Sequence, residues 1–324
     1  MFTKNRERGV ILISVLLIVL VLSAIAMSIG NNYLLAFKRE VYQNIESNGV
    51  ELFKNIEALS IKKIEEKNRF GAQILTKDDP LLNETLSFQL PNGQLYAKIS
   101  DASNCLNINS IVYLSNNNYL PNPKGIAVLK RFLAFKEFDQ RNIDSLIEQM
   151  IDWIDIDNQP RAGGLEDYFY TGPLHSPQQY TSKRLFFDLS ELKNLPASRF
   201  FNWKDLSADL CAIPLAGNSR TNINTLTGKD SLLLAAMLTN STINDAEFII
   251  ANIPKEGFVD ISQLIKQFPS IDFSKSSESI LFSSNQFIVK SEIISEEMKI
   301  SSHSLILLEN ARKGFVISRA YNGI

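Results

Sequence analysis

The sequence predicts an α+β fold with a long N-terminal helix, an antiparallel sheet and a mostly helical block between the strands of that sheet. Three observations support this prediction. Apolar residues recur at helical spacing through residues 10–67, strand patterns occur near residue 90 and again after residue 286, and short helical patterns fill the middle. Strands on both sides of a helical block predict that the block is inserted into a sheet domain.

The first element is a hydrophobic helix. Residues 10–29 carry no charge, and a run of roughly 20 apolar residues spans a bilayer as a helix. Lys4, Arg6 and Arg8 precede it. The positive-inside rule therefore predicts a cytoplasmic N-terminus and a body on the opposite side of the membrane.

A cleaved signal peptide is the alternative interpretation of this segment, because Ala24-Ile25-Ala26 is a small-x-small cleavage site. Two observations argue against it. The apolar run exceeds the roughly 7–15 residues of a typical signal peptide core, and the helical pattern continues as an amphipathic segment to Lys67 without a proline. One long helix accounts for both the apolar run and the amphipathic segment that follows it.

Composition restricts the class of protein. A hydrophobic content of 45% with 21% charged residues is typical of a packed globular body, and 324 residues predict two or more units beyond the anchor. A net charge of −2 gives no basic surplus for nucleic acid. Cys105 and Cys211 could form one disulfide in an oxidising compartment or stay as buried thiols. His175 and His303 lack the neighbouring ligands of a zinc site.

The remaining elements follow in order along the chain. Residues 86–100 predict a hairpin that turns at Pro91-Asn92-Gly93. Strands are predicted again over 286–294, 299–309 and 313–320, where Val, Ile and Phe are frequent. Asn224 and Thr225 are interpreted as caps of the helix that follows them. Short helices are predicted over residues 125–138, 140–156, 190–195, 226–238, 244–252 and 261–267.

Acidic residues cluster in the last turn of the helix predicted over 140–156 and in the loop that follows it. Counting from Asp155, Asp157 takes the third and Glu166 the twelfth position, as in an EF-hand loop, but Pro160 stands where that loop needs glycine. An EF-hand is therefore not expected. Carboxylates on a loop broken by Pro160 and Gly163-Gly164 still suit a calcium site of another geometry.

Two other interpretations of the acidic cluster stay open. It could be a solvated loop that caps a helix, with Asp152 serving the helix end. The same carboxylates could also belong to a membrane-tethered periplasmic hydrolase that uses a metal, in which case changes at Asp155 or Glu166 would abolish turnover. A glycosidase pair is not favoured, because nothing in the sequence supplies a substrate cleft.

The N-terminus resembles a type IV prepilin leader, in which a short basic segment ends in Gly9 and the mature chain starts at Val10. The resemblance implies cleavage after Gly9 by a prepilin peptidase and methylation of the new amino terminus. Most pilins carry Glu as the fifth mature residue, whereas this chain has Ser14. Without that carboxylate, a subunit cannot pair with the amine of a neighbour above it, which suits the end of a filament.

Six further motifs occur along the chain: DWIDIDNQP from Asp152, GGLEDYFYTG from Gly163, Asp188-Leu-Ser-Glu191-Leu192, Leu106-Asn-Ile-Asn109, Ile223-Asn-Thr225 and Ser283-Ser-Asn-Gln-Phe287. Together they resemble one family, the minor pseudopilin K of type II secretion systems (general secretion pathway protein K), over essentially the whole chain. One departure is visible. The family usually has an Asn-x-Pro-Leu run where this chain has Lys183-Arg184-Leu185-Phe186, so a ligand contributed just before Asp188 is in doubt.

The resemblance implies structural calcium bound by acidic loops of a helical, SAM-like insertion in a pilin-like domain. The implied domains are a leader (1–9), a transmembrane helix (10–29), the first part of the pilin-like domain (30–120), the insertion (121–275) and the last pilin-like strands (276–324). The ligands implied by the resemblance are Asp152, Asp155, Asp157, Glu166, Asp167, Asp188 and Glu191.

The implied function is non-enzymatic. The chain would be a bitopic inner-membrane protein whose periplasmic body lies at the tip of the pseudopilus, in complex with minor pseudopilins I and J. The membrane-tethered hydrolase is the alternative from another class. A minor pilin of a type IV pilus or DNA-uptake system is the third hypothesis, because the anchor alone would allow it.

Overall fold

The structure, a computed structural model, describes residues 7–69, 73–91, 93–174, 176–274, 276, 278–295, 298–310 and 312–322. The predicted leader up to Arg6, Asn92 of the hairpin turn and His175 lie outside the described residues. The chain forms two compact units, Met1–Asn55 and Ile56–Gly323.

The chain begins with a long helix, continues through strands into a mostly helical middle, and ends in strands. The helices are α1 (Glu7–Lys67), α2 (Pro80–Asn83), α3 (Pro123–Phe135), α4 (Gln140–Ile154), α5 (Asp167–Tyr170), α6 (Trp203–Ser207), α7 (Ser231–Met237), α8 (Ile243–Ala251) and α9 (Ile261–Gln267). The strands are β1 (Thr85–Leu90), β2 (Gly93–Asp101), β3 (Leu106–Asn107), β4 (Val112–Ser115), β5 (Asn118–Pro121), β6 (Leu210–Cys211), β7 (Thr221–Asn222), β8 (Ile280–Leu281), β9 (Gln286–Ile294), β10 (Lys299–Glu309) and β11 (Lys313–Asn322).

Helix α1 contains the predicted membrane segment. Its part Ile11–Glu40 has a mean hydropathy of 2.9, and none of the side chains in its most apolar window is buried in the protein. An unburied apolar surface of this length fits a single membrane-spanning helix. Gly9 and Val10 lie in the first turns of α1. Ser14 is exposed on this segment, and its hydroxyl donates to the Ile11 carbonyl at 3.3 Å within the same helix.

Five strands form one antiparallel sheet in the order β1-β2-β9-β10-β11. The predicted hairpin joins β1 to β2, and β9 and β10 have the bounds that the alternation of apolar residues predicted. Strand β2 pairs with β9, for example at Ile99 and Val289. This pairing confirms the predicted fold class, because the strands that flank the helical block meet in one sheet.

The last turns of α1 are attached to the sheet by a buried ion pair. Glu57 is 3% exposed, and the Arg319 guanidinium of β11 donates to both of its carboxylate oxygens at 2.8 and 2.9 Å. Ser304 of β10 also donates to Glu57. The Gly314 amide donates to Glu65 at 2.9 Å. These polar contacts hold the helix in one register on the sheet.

The helical region has a single hydrophobic core, which begins earlier than the predicted boundary at residue 121. Leu106 and Ile108 are fully buried in the same cluster as α3 and α4, and Ile280 ends it. Helix α9 has its predicted bounds. Helix α7 is shorter than the predicted 226–238, because the Asn222–Thr225 turn and a 3-10 turn at Gly228–Asp230 precede it.

Two Asn-Ile-Asn segments adopt the same structure. Asn107 and Asn222 each end a short strand, β3 or β7, that pairs in parallel with β6 or β8. Each then caps a 3-10 turn by accepting from the amide of the second asparagine, Asn109 or Asn224. The same local arrangement of a short parallel pairing and an Asn-capped turn therefore occurs twice in the helical region.

The second asparagine of each turn is a buried cross-link. Asn224 exchanges hydrogen bonds with the Phe258 backbone at 2.7 and 2.9 Å and donates to Phe282. Asn109 likewise exchanges hydrogen bonds with the Phe186 backbone and donates to the Ile213 carbonyl. The interpretation of Asn224 as a helix cap is therefore wrong, because its amide joins distant segments and Asn222 provides the cap.

The structure contains the disulfide that the sequence left open. Cys105 and Cys211 are bonded, with Cα atoms 5.8 Å apart and a sequence separation of 106 residues. The bond lies beside the parallel pairing of β3 with β6, where Asn107 is opposite Cys211. It closes the segment between the two cysteines, which contains α3, α4, α5 and α6, into one loop.

Candidate metal centre

Three of the predicted ligands meet at the C-terminal end of α4. Asp152 lies in the last turn of this helix, Asp155 is its C-cap residue, and Glu166 precedes α5. One carboxylate oxygen from each lies within 4.8 Å of the others. Asp152 and Glu166 are 0% exposed and Asp155 is 8% exposed. Buried carboxylates this close repel one another unless a cation lies between them.

Most oxygens of these carboxylates have no donor among the described residues. Asp152 accepts from the Arg161 amide at 3.1 Å through Oδ2. Its Oδ1, Asp155 Oδ1 and both Glu166 oxygens accept no hydrogen bond from the described part of the chain. Buried polar atoms are nearly always satisfied in native proteins. A cation bound between the three carboxylates would satisfy these orphan oxygens.

Burial changes the acidity of the cluster. Removal from water raises the pKa of Asp152 to about 6, and it raises the pKa of Asp155 and Glu166 to about 7. The carboxylates also lie at the negative end of the α4 dipole, which disfavours anions. A divalent cation would offset both effects, because it supplies the charge that ionised carboxylates need in a low-dielectric site.

The loop between α4 and α5 is shaped around Asp152. A β-carbon at Gly164 would lie 2.0 Å from Asp152 Oδ2, so no other residue fits without displacing that carboxylate. Gly163 has a φ of +93°, in the left-handed region that favours glycine. Arg161 pairs with Glu148 on α4, which fixes the loop from its outer side. The two glycines therefore allow the chain to turn closely over the carboxylate.

Hard cations with oxygen ligands fit this geometry. Calcium takes carboxylate and carbonyl oxygens at about 2.4 Å, so two ligands of one ion lie up to about 4.8 Å apart. The three carboxylates meet this limit. Asp152, Asp155 and Glu166 would hold the ion, and carbonyl oxygens or water would complete its shell.

The other four predicted ligands have different contacts. Asp157 is exposed and accepts from the Gln159 amide at 2.8 Å. Asp167 accepts from the amide and hydroxyl of Thr181 at 2.9 and 2.7 Å. Neither contributes an oxygen to the cluster formed by the described acidic side chains. Both are next to the candidate centre without being part of it.

Asp188 and Glu191 differ more clearly from their predicted role as ligands than Asp157 and Asp167 do. They form a capping box on the 3-10 turn Leu189–Asn194, in which Asp188 accepts from Ser190 and Glu191 accepts from the Asp188 amide. Glu191 also pairs with Arg184 at 3.2 Å. Their oxygens are therefore committed to local backbone and to an arginine rather than to the acidic cluster.

Lys183 also belongs to this site, although no pattern in the sequence predicted a role for it. Its ammonium donates to the Asp157 carbonyl and to Asn158 Oδ1, both at 2.6 Å, and lies 3.4 Å from the Ile156 carbonyl. The carboxylate of Glu166 is 3.7 Å from it. The only signal in the sequence was the departure from the family pattern at this position.

Fold and site together define a class of protein: a pilin-like protein with an apolar N-terminal helix, whose sheet is interrupted by a helical region that carries a cluster of buried carboxylates. The family profile "Type II secretion system (T2SS), protein K" matches residues 104–215. That segment runs from before the disulfide to beyond β6 and includes all seven predicted ligands.

Relatives of similar length support the same assignment. The chain is 27% identical to type II secretion system protein K of Pectobacterium carotovorum over 99% of this chain and 98% of the relative. It is 23% identical to the protein of that name from Klebsiella pneumoniae over 98% and 97%. The fold matches a chain in the crystal structure of the GspK-GspI-GspJ complex from enterotoxigenic Escherichia coli, with a TM-score of 0.73, 20% identity and coverage of 88% of this chain and 100% of that chain.

The chain resembles the type II secretion system protein K family in sequence and in fold. It is a minor pseudopilin, a structural component of protein secretion, and its N-terminal apolar helix fits a single-pass membrane anchor.

Proposed function

We propose that this minor pseudopilin lies at the tip of the pseudopilus. The observation that carries the proposal is the insertion between β2 and β9, which places a helical region with its own core beside the pilin-like sheet. Shaft subunits pack closely around one another, and a region of this bulk would obstruct a subunit above it. Ser14 supports the same position, because it offers no carboxylate to the amine of a following subunit.

The proposed partners are minor pseudopilins I and J, since the matching fold comes from a complex of GspK with GspI and GspJ. The test is co-purification of the affinity-tagged full chain in detergent with I and J from the same secretion system. Recovery of a ternary complex with one copy of each supports the tip position. Recovery of this chain with only the major pseudopilin would contradict it.

The proposed topology is a cytoplasmic leader, one span of the inner membrane and a periplasmic body. The basic residues before the span and the disulfide support it, because disulfides persist in oxidising compartments. A prepilin peptidase would cut between Gly9 and Val10. Mass spectrometry of the chain from membranes should find a methylated Val10 as first residue, and an intact Met1 terminus would refute the processing step.

The proposed ligand of the acidic cluster is structural calcium. The carboxylates of Asp152 and Glu166 have no exposed surface, so a substrate has no access to them, which argues against the hydrolase. A ligand that binds only the folded state raises stability by mass action. The full chain in detergent should therefore melt at higher temperature in millimolar calcium than in chelator. Asp155→Asn combined with Glu166→Gln should remove that difference, and an unchanged wild-type midpoint would exclude the site.

A further inference from the structure

A second oxygen cage lies beside the three carboxylates, and an amino group of the protein occupies it. Its nearest oxygens are the carbonyls of Ile156 and Asp157 and the side-chain oxygen of Asn158, at 3.4, 2.6 and 2.6 Å from Lys183 Nζ. The carboxylates of Glu166 and Asp167 complete it at 3.7 and 3.8 Å. We call this set of five oxygens the lysine cage.

The backbone of Lys183 is held so that its side chain reaches the cage. Its φ of 48° lies in the left-handed region, which is uncommon for a residue with a side chain. The Lys183 amide donates to the Trp153 carbonyl at 3.0 Å, and the Ser182 hydroxyl donates to the same carbonyl at 2.9 Å. These bonds attach the segment to the C-terminal end of α4, next to Asp155.

The lysine cage has the ligand chemistry of a hard cation site. An ammonium has three donors, and here all three face oxygens of the loop after α4. Calcium favours the same mixture of carbonyl, amide and carboxylate oxygens at about 2.4 Å. With the ammonium absent, the two carboxylates, now 3.7 and 3.8 Å from its position, would need to move inward by roughly 1.4 Å to bind an ion there.

We propose that Lys183 is a built-in cation that fills the lysine cage, orders the Ile156–Asn158 segment without metal and limits the acidic loop to one divalent ion. Lys183→Met would open the cage to a second calcium. The count of one ion in the wild type rests on the calcium site proposed above, whereas the role of the ammonium in the metal-free protein does not.

The test measures calcium stoichiometry and thermal midpoints of the full chain in detergent, with calcium chloride as the probe. Lys183→Met should bind two calcium ions where the wild type binds one. In chelator its midpoint should be lower than that of the wild type by roughly 2–6 °C, because the cage oxygens lose their only cation. Millimolar calcium should restore the midpoint to that of the wild type.

Lys136→Met is the matched control. Lys136 also donates to two carbonyls, those of Asp205 and Ala208, and lies 3.9 Å from a single carboxylate, that of Asp209. This variant should lose similar stability, but calcium should not restore it and the stoichiometry should stay at one. The control separates a cation cage from an ordinary buried lysine.

Asn158→Ala in the Lys183→Met background provides a second variant, because it removes one cage oxygen while the three carboxylates stay in place. It should return the stoichiometry from two to one. The proposal is overturned if Lys183→Met binds one calcium, or if calcium does not reverse its loss of stability. A wild type that binds no calcium, together with a Lys183→Met deficit in chelator, would instead exclude only the calcium site proposed above.

Discussion

At the scale of single residues, Gly164 determines whether Asp152 can take its position. Its missing side chain leaves room for Asp152 Oδ2, which a β-carbon would approach to 2.0 Å. Gly164→Ala should displace the carboxylate and remove most of the calcium-dependent rise in the thermal midpoint. Gly228→Ala is the control, since a β-carbon there meets nothing within 4 Å. A full calcium response in Gly164→Ala would show that Asp152 is not a ligand.

The three buried carboxylates predict an unusual pH dependence. Their pKa values of about 6 to 7 lie above the roughly 4 expected for the unfolded chain, so the folded state binds more protons between pH 4 and 7. Without metal, the free energy of unfolding should therefore fall as the pH rises through this range. The positive charges of Arg161 and Lys183 lower the pKa of Asp155 and so reduce this pH dependence. The negative charge of Asp157 raises the pKa of Asp155 further.

Calcium should reverse that trend, because it binds the ionised carboxylates. The calcium-induced rise in the thermal midpoint should be larger at pH 8 than at pH 5. Melts at both pH values in calcium and in chelator test this directly. The Asp155→Asn, Glu166→Gln double variant should lose the calcium effect and keep only the weaker pH dependence of Asp152. An equal calcium effect at both pH values in the wild type would count against ionised ligands.

The candidate site shows what residue spacing can and cannot predict. The acidic composition of the loop drew attention to Asp152, Asp155 and Glu166, which the fold brings close together. Asp188-Leu-Ser-Glu191 was interpreted as ligating, although an acidic residue followed three positions later by Glu is also the signal of a capping box. Lys183 could not be assigned, because its partners are backbone oxygens of a segment that only the fold brings close.

At the scale of elements, the attachment of α1 to the sheet depends on an asymmetric ion pair. Glu57 is buried, whereas the Arg319 side chain is 40% exposed. Arg319→Met would leave a buried charge without its partner and should lower the free energy of unfolding by about 2–3 kcal/mol. Glu57→Gln should lower it less, because the arginine can turn to water. Denaturant unfolding should rank the two variants in this order.

An exposed pair provides the comparison for that prediction. Lys124 and Glu278 are 2.9 Å apart, with side chains 64% and 67% exposed. Lys124→Met should change the free energy of unfolding by less than about 1 kcal/mol. Equal losses in Lys124→Met and Arg319→Met would show that burial of Glu57 does not matter for this attachment.

The elements differ in how well their sequence predicts them. Strands β9 and β10 and helix α9 were predicted with their observed bounds, because alternation and an aspartate cap are local signals. The start of the helical region and the two Asn-Ile-Asn turns were not predicted. Their asparagines bond to backbone groups far along the chain, so no local pattern distinguishes them from helix caps.

At the scale of the whole molecule, the disulfide restrains the helical region. It joins residues separated by 106 positions, and closing a loop of that length stabilises a protein by about 3–5 kcal/mol. A variant with Cys105→Ser and Cys211→Ser should lose stability of this order in denaturant unfolding. The reduced wild type should have nearly the same stability as the double variant, whereas the stability of the double variant should not change with reductant. A wild type unaffected by complete reduction would contradict the prediction.

The pairing of β2 with β9 also has a consequence for biosynthesis. Strands β1 and β2 leave the ribosome first, but the neighbour that covers β2 is made only after the whole helical region. The sheet is therefore completed last, and until then β2 exposes an open edge that other chains could pair with. A product that stopped just before Gln286 would retain every buried residue of the helical core and lose three of the five sheet strands. Such a product would keep the acidic cluster but leave β2 without the neighbouring strand that covers its edge.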